Sequence, residues 1–312
     1  MMRSRSFLVL LFFPLLLLAC NRPESAAPTA TKLQVVTSLF PLYDFVRQIG
    51  GDSVEVTLLL PPGVEAHSFD PKPDDILRVN RAGLFIYTNK AMEAWAATIA
   101  ASVDPAKVMI VDASVGTKLL PSSGDAHAGE HGHEAGRIDP HLWLDFANAQ
   151  VMVGNIAQAM ATKDPAHRDL YLANAAAYRV HLDTLDAAYR TALAGCKKRT
   201  LLQGGHFALG YLTARYGLAY RAAAAVNPEA EPTAATMAAL VEEMRRNDLH
   251  YLFSEELVSP KLAETIAKEG GGTVLLLSAA HNVSKADLDR GITFIEIMER
   301  NLANLQRGLE CR

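Results

Sequence analysis

Three cysteines in 312 residues are too few for a disulfide-dense scaffold or a thiolate cluster. The chain has no run of lysine and arginine longer than Lys197-Lys198-Arg199 and no face on which aromatics alternate with cations, so composition suggests no nucleic-acid partner. The formal net charge of −4 is mildly acidic and tolerant of cations. The H-E-x-x-H pair of a helical hydrolase is missing, and no obvious general base beyond Ser278 or Glu255 offers itself to the histidines discussed below. Long apolar runs are missing too, except for Phe7 to Leu18, which is too short to span a bilayer with ease.

That run follows Arg3 and Arg5 and ends in Leu17-Leu18-Ala19-Cys20, the pattern of a secretion signal over residues 1–19. A cysteine at this place resembles the lipobox of bacterial lipoproteins, which implies that Cys20 becomes the acylated first residue and residues 20–32 a flexible tether. Loss of Arg3 and Arg5 takes the mature charge to −6. In an exported chain the remaining pair, Cys196 and Cys311, is more readily a disulfide than two free thiols.

Half of the residues are hydrophobic and 21% charged, which suits a well-cored protein of about two domains. Periodicity predicts strands at 32–38, 53–60, 84–87 and 108–112, separated by helices at 40–49, 73–80 and 91–102. After helix 148–163 and a break at Asp164-Pro165, residues 166–193 contain neither proline nor glycine, so one helix of nearly 30 residues is expected to brace two lobes. Leu170, Leu182, Leu185 and Tyr189 should form its core face, while Glu242, Glu243, Arg245 and Arg246 read as a solvated face of a later helix. The second half repeats the first, with strands at 200–203, 220–226, 251–254 and 273–277, helices at 207–216, 233–247 and 259–269, and one closing helix at 288–309. The expected fold is α/β: an N-terminal lobe at 33–164, a linking helix at 165–194 and a C-terminal lobe at 195–312, with mainly parallel sheets.

The histidines then fall into place. His67, His206 and His281 each follow the carboxyl end of a predicted strand, where open α/β sheets bind ligands. His141 sits in Asp139-Pro140-His141-Leu142-Trp143-Leu144-Asp145, between two aspartates and near the junction of the lobes. An imidazole set drawn from both lobes suits one metal ion, zinc best and manganese if a carboxylate joins it. His167 and His181 on the long helix, and His250 before a strand, read as surface or capping residues.

Pro62 to Pro71, Asp139 to Asp145, His206-Phe207-Ala208-Leu209-Gly210-Tyr211, Arg215-Tyr216-Gly217-Leu218, Glu231-Pro232-Thr233 and Glu255 with Ser259-Pro260-Lys261 together resemble the motifs of metal-binding receptors of ABC importers, the zinc- and manganese-specific substrate-binding proteins. The resemblance runs from about residue 33 to 309. It implies two Rossmann-like lobes joined by a rigid helix, His67, His141 and His206 as ligands between them, no enzymatic activity, and delivery of the ion to a permease and its ATPase by a monomer in the periplasm or at the cell surface. Two positions depart from the pattern: Ser278 stands where the family places an acidic ligand, and Asp145 is followed by Phe146 where the family often has proline. His281, three residues beyond Ser278, is the expected fourth donor, with water or Glu255 as alternatives. The segment 122–136, with His127, His131 and His133 among glycines and alanines, reads as a loop that collects zinc weakly or binds it only incidentally. A zinc-dependent hydrolase and a metal-binding surface adhesin remain as alternative functions.

Overall fold

The computed structural model of the protein describes residues 32–122, 138–224, 226 and 232–312. The signal, Cys20, His127, His131, His133 and Glu231 lie outside the described residues.

Four apolar segments of the N-terminal lobe form β1 (Leu33–Thr37), β2 (Val54–Leu58), β3 (Leu84–Tyr87) and β4 (Met109–Asp112), all parallel and ordered β2-β1-β3-β4. The crossovers carry α1 (Phe40–Gly50), α2 (Pro73–Arg81) and α3 (Ala94–Ser102). Parallel pairing demands such covers, because a central strand is apolar on both faces. Helix α1 buries Phe40, Leu42, Phe45, Val46 and Ile49 on its inner face. It ends at Gly51, whose φ of +51° is a left-handed conformation that glycine adopts without steric cost.

The C-terminal lobe repeats the design with β5 (Thr200–Gln203), β6 (Ala219–Ala222), β7 (Tyr251–Ser254) and β8 (Thr273–Leu276), again parallel and ordered β6-β5-β7-β8. Between the sheets run α4 (Phe146–Lys163), capped by Asp145 accepting from the Ala147 N–H, and the long α5 (Arg168–Ala194). Around the second sheet lie α6 (Gly210–Arg215), α7 (Ala234–Arg246), α8 (Lys261–Gly270), α9 (Lys285–Asp289) and α10 (Phe294–Gly308).

One continuous core joins both lobes through α1, α4, α5 and α10. Phe45 meets Tyr178 and Phe294 at ring separations of 5.7 and 5.3 Å, and the Tyr189 hydroxyl donates to the Met298 carbonyl at 2.6 Å. Asp44 ties three elements, accepting from the Phe294 N–H at 2.9 Å and from the Tyr178 hydroxyl at 3.4 Å. Each large side chain so buried contributes about 1.5–3 kcal/mol, and the helix braces the lobes because its partners lie in both.

Four expectations need correction. The single closing helix is two, α9 and α10, because Gly291 turns at φ +76° and Thr293 starts a fresh helix by accepting from the Glu296 N–H. Leu170 is 42% exposed, since the first turn of α5 projects past the core that takes Leu182, Leu185 and Tyr189. Glu243 leaves the solvated face of α7 and is buried, pairing with Arg221 of the neighbouring strand at 3.1 Å. The strand expected over 220–226 stops at Ala222, after which the Ala223 and Ala224 N–H groups bond to the Gln203 and Gly205 carbonyls.

Candidate metal centre

Every element that carries a candidate ligand ends at the interface between the sheets. His67 lies in the loop after β2, held from behind by Trp95, whose indole N–H donates to the Ala66 carbonyl at 2.9 Å. The His67 backbone N–H donates to Glu65 Oε1 at 3.0 Å, and the ring's Nε2 is buried without a hydrogen-bond partner among the described residues.

His141 precedes a short 3₁₀ turn, Leu142–Leu144, and is fully buried. One oxygen of Asp139 holds it twice, taking the backbone N–H at 3.0 Å and facing Nδ1 at 2.9 Å. His206 follows β5 and is held in the same manner by Glu255, whose Oε1 takes its N–H at 3.1 Å and faces its Nδ1 at 2.8 Å. With Nδ1 engaged on a carboxylate, Nε2 of each ring is aimed at the other, and the two stand 3.4 Å apart. Two nitrogens bound to a tetrahedral zinc at about 2.0–2.1 Å are separated by about 3.3–3.4 Å.

His67 completes a group of three in which one donor atom from each residue lies within 4.8 Å of the others. Ring separations are 5.3 Å for His67 and His141, 5.9 Å for His67 and His206, and 5.3 Å for His141 and His206. His281 lies next to this group and outside it, its ring 6.0 Å from that of His206. Ala280 reaches a φ of +57° just before it, turning the chain inward, and the His281 Nδ1 is buried without a partner among the described residues. The Ser278 hydroxyl is engaged within the loop, accepting from the Ala280 N–H at 3.1 Å.

Burial pushes the His67 imidazole down to about 4 and that of His141 well below its usual range, with the charge of His206 adding to both effects. Burial likewise lowers His281. His206 goes the other way. Burial opposes its charge, yet the hydrogen bond and charge of Glu255 prevail and raise it. Glu255 is correspondingly lowered, its burial outweighed by His206, whereas burial drives Asp139 up to about 7. Three imidazoles are thus held neutral, as a metal requires, and one is held by a counter-ion.

Loop 278–283 stitches the lobes together at the site. Trp143 donates to the Ala279 carbonyl at 2.8 Å, and Asn282 donates to the Pro61 and Val64 carbonyls at 2.8 Å each. Arg215 at the end of α6 binds Asp145, the cap of α4, at 2.6 Å and Asp186 of α5 at 2.7 Å, so it joins three helices. Cys196 and Cys311 form a disulfide between the end of α5 and the C-terminus. His167 and His250 pair with surface acids and His181 is exposed. The orienting role of Glu255 and Gln203 escaped sequence reasoning. The available signal was position, since Glu255 directly follows β7 beside the strand that delivers His206.

Convergent imidazoles between two parallel sheets define a two-lobed metal-binding protein. The chain belongs to the family of periplasmic component A of the zinc-uptake complex, whose model matches residues 35–308. It is 35% identical over 301 residues to the high-affinity zinc uptake system protein ZnuA of Bacillus subtilis, covering 95% of this chain and 94% of that protein. It is 33% identical over 310 residues to the zinc-binding lipoprotein AdcA of Streptococcus pneumoniae, covering 98% of this chain but only 61% of that longer protein. Among solved structures, the Zn(II)-bound ZnuA-like domain of S. pneumoniae AdcA matches with a TM-score of 0.76 at 32% identity over 89% of this chain and 99% of that one. The laminin-binding protein Lmb of Streptococcus agalactiae, described as having adhesin and metal-transporting activity, matches with a TM-score of 0.78 at 29% identity, covering 89% and 99%.

Proposed function

We propose that the protein captures a divalent metal ion outside the cytoplasm, zinc before manganese, and hands it to the permease and ATPase of an ABC importer. One observation carries this reading: imidazoles from both lobes converge within 4.8 Å, and the two aimed by carboxylates stand at the 3.4 Å spacing of a tetrahedral zinc. His67, His141 and His206 are the proposed ligands, and His281 the proposed fourth. Neutral imidazoles favour zinc, because manganese prefers oxygen donors. Glu255 is the weaker candidate for the fourth place, since its Oε1 already receives His206 and, at 3.2 Å, Gln203. In this reading residues 33–164 and 195–312 are the two jaws, the helix within 165–194 keeps them at a set distance, and Cys20 anchors a monomer to the membrane. The segment bearing His127, His131 and His133 supplies weaker additional sites.

Hydrolysis is disfavoured because Asp139 and Glu255 are engaged in aiming imidazoles and Glu65 accepts from the His67 N–H. An adhesin role has the similarity to Lmb in its favour and does not conflict with capture.

Titration calorimetry on the mature chain tests the reading. One tight zinc per chain is expected, weakened by orders of magnitude in His67→Ala, His141→Ala and His206→Ala. Parent-like binding by all three variants overturns it. Deletion of residues 122–136 should leave the tight site intact and remove only weaker equivalents.

A further inference from the structure

Beside the imidazole cluster a cleft of about 120 Å³ opens between the N-terminal loop Gly63–Glu65 and the C-terminal segments 255–258 and 278–282. Its acidic lining is graded by depth. Glu256 is exposed, Glu65 is half-buried, and Glu255 is buried where the cleft meets His206. His281 lines the same cleft and is only 8% exposed, with Nδ1 lacking any partner among the described residues. A buried imidazole nitrogen without a hydrogen bond costs free energy unless a ligand satisfies it. Here that orphan and the carboxylates share one space.

We infer that this cleft is the port by which a hydrated divalent cation reaches the cluster, with Glu256 and Glu65 drawing the ion in and the His281 imidazole receiving it. The inference rests on the metal-capture reading. Carboxylates lining a low-dielectric cleft focus the field and raise the local concentration of cations, which speeds association. The volume admits several waters, so the ion sheds its hydration shell stepwise instead of at the surface. Arg290 and Arg300, whose charge is felt at Glu256, are themselves paired with Asp287 and Glu296, which blunts their opposition.

The proposal predicts that Glu256 acts on the rate of entry and not on retention. Stopped-flow mixing of Zn²⁺ with the mature chain, at low and high salt, separates the two. Glu256→Gln should slow association several-fold at low salt with an unchanged dissociation rate, Glu256→Lys should slow it by about 10-fold or more, and adding Glu65→Gln should deepen the loss. Glutamine at 65 keeps an oxygen for the His67 N–H. The parent's association rate should fall steeply with salt and that of the double variant should be nearly flat. Association rates and salt dependence equal to the parent's overturn the port. So does an effect of Glu256→Gln confined to dissociation, which makes that carboxylate a ligand. Failure of the capture reading is distinct, since the parent chain itself then takes up no tight zinc.

Discussion

In the N-terminal lobe the ring of His141 rests on Asp139, and in the C-terminal lobe that of His206 rests on Glu255, by the same pair of hydrogen bonds. Their electrostatics are opposite. Asp139 is driven up to about 7 and His141 far down, both chiefly by burial, so burial favours the uncharged form of both partners. The second oxygen of Asp139 is buried without a partner among the described residues, so little compensates the loss of water. Glu255 also receives Gln203 and is lowered, and its hydrogen bond and charge favour the protonated form of His206. Identical hydrogen-bond patterns therefore do not fix a charge state; the local solvation does. The surroundings of His141 favour the neutral ring that a metal needs, whereas those of His206 favour a proton that an incoming ion has to displace.

The largest test of this comparison is removal of each ring. His141→Ala and His206→Ala should each weaken zinc binding by about 1,000-fold or more, roughly 4 kcal/mol, in competition with a chelator. His281→Ala should lose about 10-fold and discriminate less against manganese. An equal loss at His281 makes it a full partner of the three.

The lobes also differ in covalent support, since the disulfide pins only the C-terminal one. Replacing Cys196 and Cys311 by serine should lower unfolding stability by about 2–4 kcal/mol in denaturant titration and leave zinc affinity unchanged. A shift in affinity instead would mean that the pin reaches the site.

Carboxylate removal gives a smaller effect. Asp139→Asn and Glu255→Gln should each lower zinc affinity by about 10–100-fold, measured at neutral pH. Glu255→Gln alone should also flatten the pH dependence of binding, because His206 then loses the counter-ion that keeps it protonated.

The metal-free pH profile gives the finest discrimination. The raised pKa of His206 adds stability that is present below 6.5 and fades as pH rises through the folded value. The lowered pKa of Glu255 adds stability present above 4.5 and lost as pH falls through its folded value. Glu255→Gln should thus be most destabilised, relative to the parent, at pH 5–6.5. Asp139 works the other way: its raised pKa favours the folded state at low pH, and that advantage is lost as pH rises from about 4 towards 7. Asp139→Asn should gain on the parent over that range. Thermal melts at several pH values check both, and parallel profiles would erase the contrast.

Local chemistry explains which parts of this protein can be read without coordinates. Strands 84–87, 200–203 and 251–254 are found at the predicted residues, because short apolar runs between polar breaks have few other uses. The break at Gly291 was available as a glycine and was outvoted by helical periodicity on either side. Glu243 looked solvated because its partner, Arg221, is distant in sequence and adjacent only across the lobe. His67, His141 and His206 stood out as strand-end or aspartate-flanked histidines. Glu255 stood out only as a motif residue and an alternative donor; its aiming of His206 did not, because the two lie 49 positions apart.

By itself the sequence determined the alternation of strands and helices, the parallel sheets it forces, the proline-free brace and the three histidines at strand ends, since each depends on residues within one or two turns of one another. Only the tertiary structure decided that two Nε2 atoms stand 3.4 Å apart, that Glu255 aims His206, and that burial favours the neutral form of one histidine–carboxylate pair while the carboxylate favours charge on the other. Those facts depend on desolvation and on distances between residues 49 to 65 positions apart, which packing sets and local pattern does not encode.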